Sequence, residues 1–132
     1  MEFKRREILG GLAATLVKAT WAAPKEEKAM YGTIGKMTTA PGKRAEVLSL
    51  LLQAVKEMPG CLSYVVAQDS ADENGIWTTE VWDSKDSHDA SLSLPEVKKA
   101  IAAARPMIAG LSNQAITTPV GGYGLPTAKP AR

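Results

Sequence analysis

Few side chains in this sequence could do chemistry, and their scarcity limits the options. There is one histidine, His88, and one cysteine, Cys61. A disulfide within the chain, a Cys-x-x-Cys redox pair and a Cys/His zinc site are therefore excluded. A single imidazole cannot build a multi-histidine iron or copper centre either. His88 is the candidate general base, because a free imidazole titrates near pH 6.5 and is largely neutral at pH 7. It reads equally well as a surface or capping histidine between Ser87 and Asp89. Tyr64 offers a hydroxyl that could donate to a developing oxyanion or simply hydrogen-bond across a sheet. Trp77 and Trp82 could line an aromatic pocket, or pack in a core and an interface. Arg105 could hold a substrate anion or stay a solvated helix charge. Asp69 and Asp72 read as loop and turn residues.

These groups must be held by elements that the hydrophobic pattern marks out. Residues 29–37 form a first strand, and Pro41-Gly42 a turn. From Lys43 to Met58 the spacing is helical, with Val47, Leu51, Val55 and Met58 on one stripe, and Pro59-Gly60 stops the helix. Residues 61–68 form a second strand, Asp69 to Gly75 a hairpin loop, and residues 76–82 a third strand. Asp83 or Ser84 caps the next helix, which is interrupted at Leu94-Pro95. Val97, Ile101, Ala104 and Ile108 carry its apolar stripe, bent or ended by Pro106. Residues 112–120 form the last strand. The order β-α-β-β-α-β predicts an α+β, ferredoxin-like fold with a four-stranded antiparallel sheet and its helices on one face. The strands carry apolar residues on both faces: Trp77 and Val81 point one way, Ile76 and Trp82 the other. In the second strand, Leu62, Tyr64 and Val66 are expected to oppose Cys61 and Val65. An apolar open face predicts a homodimer with two sheets packed face to face. Cys61, on a strand expected to be buried, reads as an inert core thiol.

The N-terminus reads as a separate unit. Lys4, Arg5 and Arg6 precede an apolar run from Ile8 to Val17, followed by small residues at Thr20, Ala22 and Ala23. That is the order of an export signal, and Arg5-Arg6 gives it a twin-arginine character. Residues 1–22 are expected to be removed after Ala22, leaving an exported, periplasmic protein with no remaining membrane attachment. They hold four of the sixteen basic and two of the fourteen acidic residues, so the remainder is neutral. It has no basic excess that would point to nucleic acid. Residues 121–132, rich in glycine and proline, are expected to be a disordered tail.

The combination Pro59-Gly60-Cys61-Leu62-Ser63-Tyr64, Asp69, Glu80-Val81-Trp82, His88 and Leu94-Pro95-Glu96-Val97, with Pro41-Gly42-Lys43 before the first helix, resembles the antibiotic biosynthesis monooxygenase (ABM) domain family. The resemblance covers residues 29–120. It implies a dimeric α+β barrel and a cofactor-independent monooxygenase that oxidises a quinol or related aromatic with O₂, with no metal or flavin. Such a site can be sparse, because an electron-rich phenol, once deprotonated, passes an electron to O₂ itself. On this reading His88 and Tyr64 are the catalytic candidates, and Trp77, Trp82 and Arg105 contact the substrate. A second reading is a dimeric barrel that binds a small apolar ligand without turning it over. The family's haem-degrading branch fits less well. Its tryptophan and ligand histidine would fall on Ser91 and Ile101, and residues 30–37 contain no asparagine to match its first strand.

Overall fold

The protein, seen as a computed structural model, is described over residues 29–126. The expected export signal and the last six residues of the expected tail lie outside that range. Strand β1 (Tyr31–Thr39) leads to helix α1 (Arg44–Ala54), then to strands β2 (Cys61–Gln68) and β3 (Gly75–Trp82). Helices α2 (Lys85–Ser91) and α3 (Pro95–Ala104), a 3₁₀ turn (Arg105–Met107) and strand β4 (Ile108–Thr117) follow. The sheet order is β2-β3-β1-β4, antiparallel throughout. This is the ferredoxin-like α+β fold expected from the element order.

Local chemistry sets the boundaries. The Ser84 side chain accepts the Ser87 backbone N–H at 3.2 Å and starts α2. Leu94 is held extended before Pro95, which opens α3 at a position where no backbone donor is needed. Helix α1 ends at Ala54, not at Met58 as the stripe suggested. Met58 precedes a proline and is kept out of the helix. Its carbonyl instead accepts the Cys61 N–H at 3.1 Å across Pro59-Gly60. Ile108 is the first residue of β4 rather than the end of a helical stripe, because the chain turns at Pro106. Strand β4 ends at Thr117, two residues before Pro119, which cannot donate to a ladder.

Cross-strand partners share a face, and the register assigns each side chain. Met37, Ile76, Thr78, Glu80, Trp82, Tyr64 and Val66 lie on the helix side. There Ile76 and Val47, both fully buried, meet Ala104 to form the core. A bulge between Cys61 and Ser63 alters the alternation expected in β2. Cys61 pairs with Trp82 and therefore faces the same side as Tyr64. It is half-buried, with its Sγ 3.6 Å from the Ser63 carbonyl, and burial raises the thiol above its ordinary range.

The open face carries Ile34, Lys36, Val65, Trp77, Thr79 and Val81. Its charged corner fixes the β2–β3 hairpin. Asp69 accepts the Trp77 indole N–H and the Ala71 backbone N–H, both at 2.8 Å, and pairs with Lys36 at 3.2 Å. Lys36 also reaches Asp72 at 3.0 Å, while the Arg44 guanidinium donates to the Asp72 carbonyl at 2.9 Å. These bonds, the Trp77 one foremost, hold the Asp69 carboxyl at about 2. Folding therefore makes this group harder to protonate. The stability it contributes is present above the ordinary aspartate range and is lost as pH falls from about 4 towards 2. Urea unfolding should show that loss in the wild-type protein and a shallower acid slope in Asp69→Asn. Equal slopes would mean that the carboxylate has no such role.

Candidate active site

A cavity of about 400 Å³ lies between the sheet and the helices. Met37, Tyr64, Trp82, Ile108 and Leu111 line it from the strands. Leu51, Val55 and Met58 line it from α1 and the segment after it, and Ser91, Leu92, Val97 and Ile101 from α2 and α3. Val55 and Met58, although beyond the helix, thus still point where the helical stripe would have sent them. Arg105 lies in the wall where α3 gives way to the 3₁₀ turn. A larger groove between α1 and α3, of about 910 Å³, is lined by Lys56, Glu57, Glu96 and Lys99 among aliphatic residues. Among the described residues it holds no aromatic ring, histidine or cysteine, so the smaller cavity is the better candidate.

Tyr64 is the polar group best placed to act in the cavity. Burial, and then the nearby Glu80 carboxylate, raise its hydroxyl well above the ordinary tyrosine range. It therefore stays protonated and can only be a donor towards an anion. Its hydroxyl makes no hydrogen bond to another described residue.

Sequence reasoning passed over Glu80. Its Oε1 accepts the Trp82 indole N–H at 2.8 Å, and the same oxygen lies 3.9 Å from His88 Nε2. The signal was present in the strand's two-residue period. Glu80 is an acidic side chain on the same face as Ile76 and Trp82, which are both buried.

His88 sits behind Trp82 and is not in the cavity wall. Its ring meets the Trp82 indole edge-on, centroids 5.5 Å apart, and lies 5.1 Å from the Tyr31 ring. Its Nδ1 is 3.0 Å from Asp89 Oδ1. Lys85 and then His88 hold the Asp89 carboxyl below the usual range, so it is an acceptor and Nδ1 carries the hydrogen. The structure thus gathers Tyr64, Trp82 and Arg105 around the cavity and places His88 against the outer side of Trp82. It does not bring Trp77 to this site, because Trp77 faces the opposite side of the sheet, bonded to Asp69. Ser91 and Ile101, the positions that bear on the haem-degrading branch, both line the cavity. Neither side chain can act as an imidazole ligand there.

A family profile for antibiotic biosynthesis monooxygenases matches residues 30–103. The chain belongs to the antibiotic biosynthesis monooxygenase family. A crystal structure from Chloroflexus aurantiacus J-10-fl, assigned to the same group, is 56% identical, with a TM-score of 0.72. The match covers 74% of this chain and all of that one. A Caulobacter crescentus CB15 structure is 24% identical, with a TM-score of 0.65 over 72% of this chain and 93% of that one. SnoaB, a cofactor-independent oxygenase from Streptomyces nogalater, is 16% identical, with a TM-score of 0.60 over 72% of this chain and 97% of its own. These last two likenesses establish the shared fold alone. Among curated proteins nothing matches. The ABM assignment agrees with the ferredoxin-like sheet order.

Proposed function

We propose that this ABM protein is a cofactor-independent monooxygenase that oxidises a hydroquinone or related electron-rich aromatic with O₂. The observation that carries the reading is an apolar cavity with a protonated phenol, Tyr64, that bonds to no other described residue and stands beside Trp82. The substrate ring rests near Trp82. The Tyr64 O–H donates to one substrate oxygen and favours its anionic form, and Arg105 adds positive charge from the wall. The phenolic proton passes to a water at the cavity mouth and is returned to the peroxide; the anion gives an electron to O₂, and the radical pair combines at a ring carbon. The resulting hydroperoxide loses water, so one oxygen atom stays on the ring as a carbonyl and the other leaves in water. The two hydrogens of that water come from the substrate's own C–H and O–H. The protein's contribution is orientation, exclusion of bulk water and one hydrogen bond to the anion.

Oxygen uptake with a panel of hydroquinones tests this directly. Substrate-dependent uptake, with one oxygen atom from ¹⁸O₂ in the product, supports the reading, and absence of uptake across the panel overturns it. The alternative, a protein that binds a small apolar ligand without turnover, is favoured by one feature. No carboxylate or imidazole is among the described residues that line the cavity. Ligand binding without oxygen uptake would select it.

The open sheet face supports a homodimer. Val65, midway along the edge strand β2 on that face, is 53% exposed. The protein should elute at about twice its chain mass, and Val65→Glu should convert it to a monomer. Monomeric wild-type protein at micromolar concentration would exclude face-to-face pairing.

A further inference from the structure

We propose that the ligand of this cavity carries an aliphatic chain, which leaves the pocket over Leu92, Ile101 and Leu111. The inference rests on the cavity being the quinol site and adds the substrate's class, a ring with an alkyl or isoprenoid tail.

Leu111 is 64% exposed, Leu92 50% and Ile101 38%, and all three belong to the cavity wall. Exposed leucines scattered over a surface need no explanation, but apolar residues gathered at one opening do. These three come from three separate parts of the chain: the residue just after α2, helix α3, and β4. Leu111 lies opposite Met37 in the register, so the rim continues into the interior without a polar break.

The cavity's composition points the same way. Among the described residues its two large rings, Tyr64 and Trp82, are both on the sheet, whereas Met37, Leu51, Val55, Met58 and Val97 are apolar and non-aromatic. Two neighbouring rings suffice for a planar head. The remaining wall, with its adaptable methionines, fits a flexible hydrocarbon. A cavity of about 400 Å³ is in the range of drug-sized ligands, larger than a lone benzenoid ring needs. The rim is on the helix side of the sheet, so a partner packed on the open face leaves it uncovered.

The test uses 1,4-dimethoxybenzenes bearing a 2-alkyl chain from methyl to decyl. They have no hydroxyl to lose and bind without reacting. Affinity is read by quenching of tryptophan fluorescence in the full chain. It should rise about two- to fourfold per methylene over the first several carbons, as expected for partial to full burial of each group. In Ile101→Gln/Leu111→Gln that dependence on chain length should flatten. Affinity independent of chain length in the wild-type protein overturns the proposal. So does a change of elution volume in the double variant, which would show that a second copy covers the rim. If the corresponding alkyl hydroquinones are not oxidised while the chain-length dependence persists, the oxygenase reading fails and the tailed ligand stands.

Discussion

Tyr64→Phe is expected to lower turnover of an accepted hydroquinone by about 10²–10³-fold, the usual worth of a single donor aimed at a developing oxyanion. The substitution keeps the ring and removes only the O–H. The cavity's shape is preserved, and KM should change little. Because burial keeps the hydroxyl protonated, the deficit should be the same at every pH across the neutral range. His88→Ala should behave differently. The imidazole touches the Trp82 ring and faces Glu80, so its removal loosens one wall of the cavity without removing a group from it. A loss of no more than about tenfold is expected, shared between kcat and KM. A positioned base in contact with the substrate would instead cost about 10²–10⁴-fold in kcat. Steady-state oxygen uptake by the two variants distinguishes the roles. A loss beyond a hundredfold in His88→Ala alone would put the imidazole in the reaction.

The contrast shows which parts of the site could be read from the sequence. Strand period placed Trp82 and Trp77 on opposite faces correctly, since that inference needs only alternation. It could not decide which face holds a cavity, because that depends on how far α1 and α3 stand from the sheet. Trp77 was therefore grouped with Tyr64 and Trp82, although its indole is tied to Asp69 on the open face. His88 was placed on the right helix, the one entered directly after Trp82, but its contact with the Trp82 ring was not foreseen. Whether it entered the pocket depended on α2's rotation, which is fixed by the Ser84 cap and the turn at Gly60. Helix ends failed where proline acted at a distance. Met58 was counted as helical because its spacing fits, although the residue before Pro59 is kept out of the helical region and the helix ends earlier, at Ala54. The β2 bulge is invisible to alternation by its nature, and it moved Cys61 to the side of Tyr64.

Glu80 links these observations. A carboxylate facing the core is costly unless it is paired. Here it is partnered by the Trp82 indole on its own strand, with His88 on the following helix nearby. That pairing fixes the orientation of the indole that faces the cavity. It also ties β3 to α2, so the site depends on the exact placement of a seven-residue helix.

Gly60→Ala is accordingly expected to be among the most damaging single substitutions. Gly60 has φ of 85°, the left-handed region, which costs a residue with a side chain about 1–2 kcal/mol. An added Cβ would also overlap the Ser87 side chain and lie 2.8 Å from Asp83 Oδ1. Both contacts are with the start of α2, where Ser87 donates to the Ser84 cap and the Asp83 N–H bonds to the Gly60 carbonyl at 2.8 Å. Relieving the overlap means moving the helix that carries His88. The two costs together should reach about 3 kcal/mol, or a fall in Tm of roughly 12–24 °C for a domain of this size. Gly42 provides the control. Its φ of 78° imposes the same backbone strain, but an added Cβ meets nothing within 4 Å. Gly42→Ala should cost only about 1–2 kcal/mol. Ser87→Gly introduced beside Gly60→Ala should recover part of the difference by removing the atoms in the way, despite the helix propensity it gives up. If Gly60→Ala and Gly42→Ala melt at the same temperature, the close approach of the turn to α2 does not constrain the helix, and the orientation of His88 must be set elsewhere.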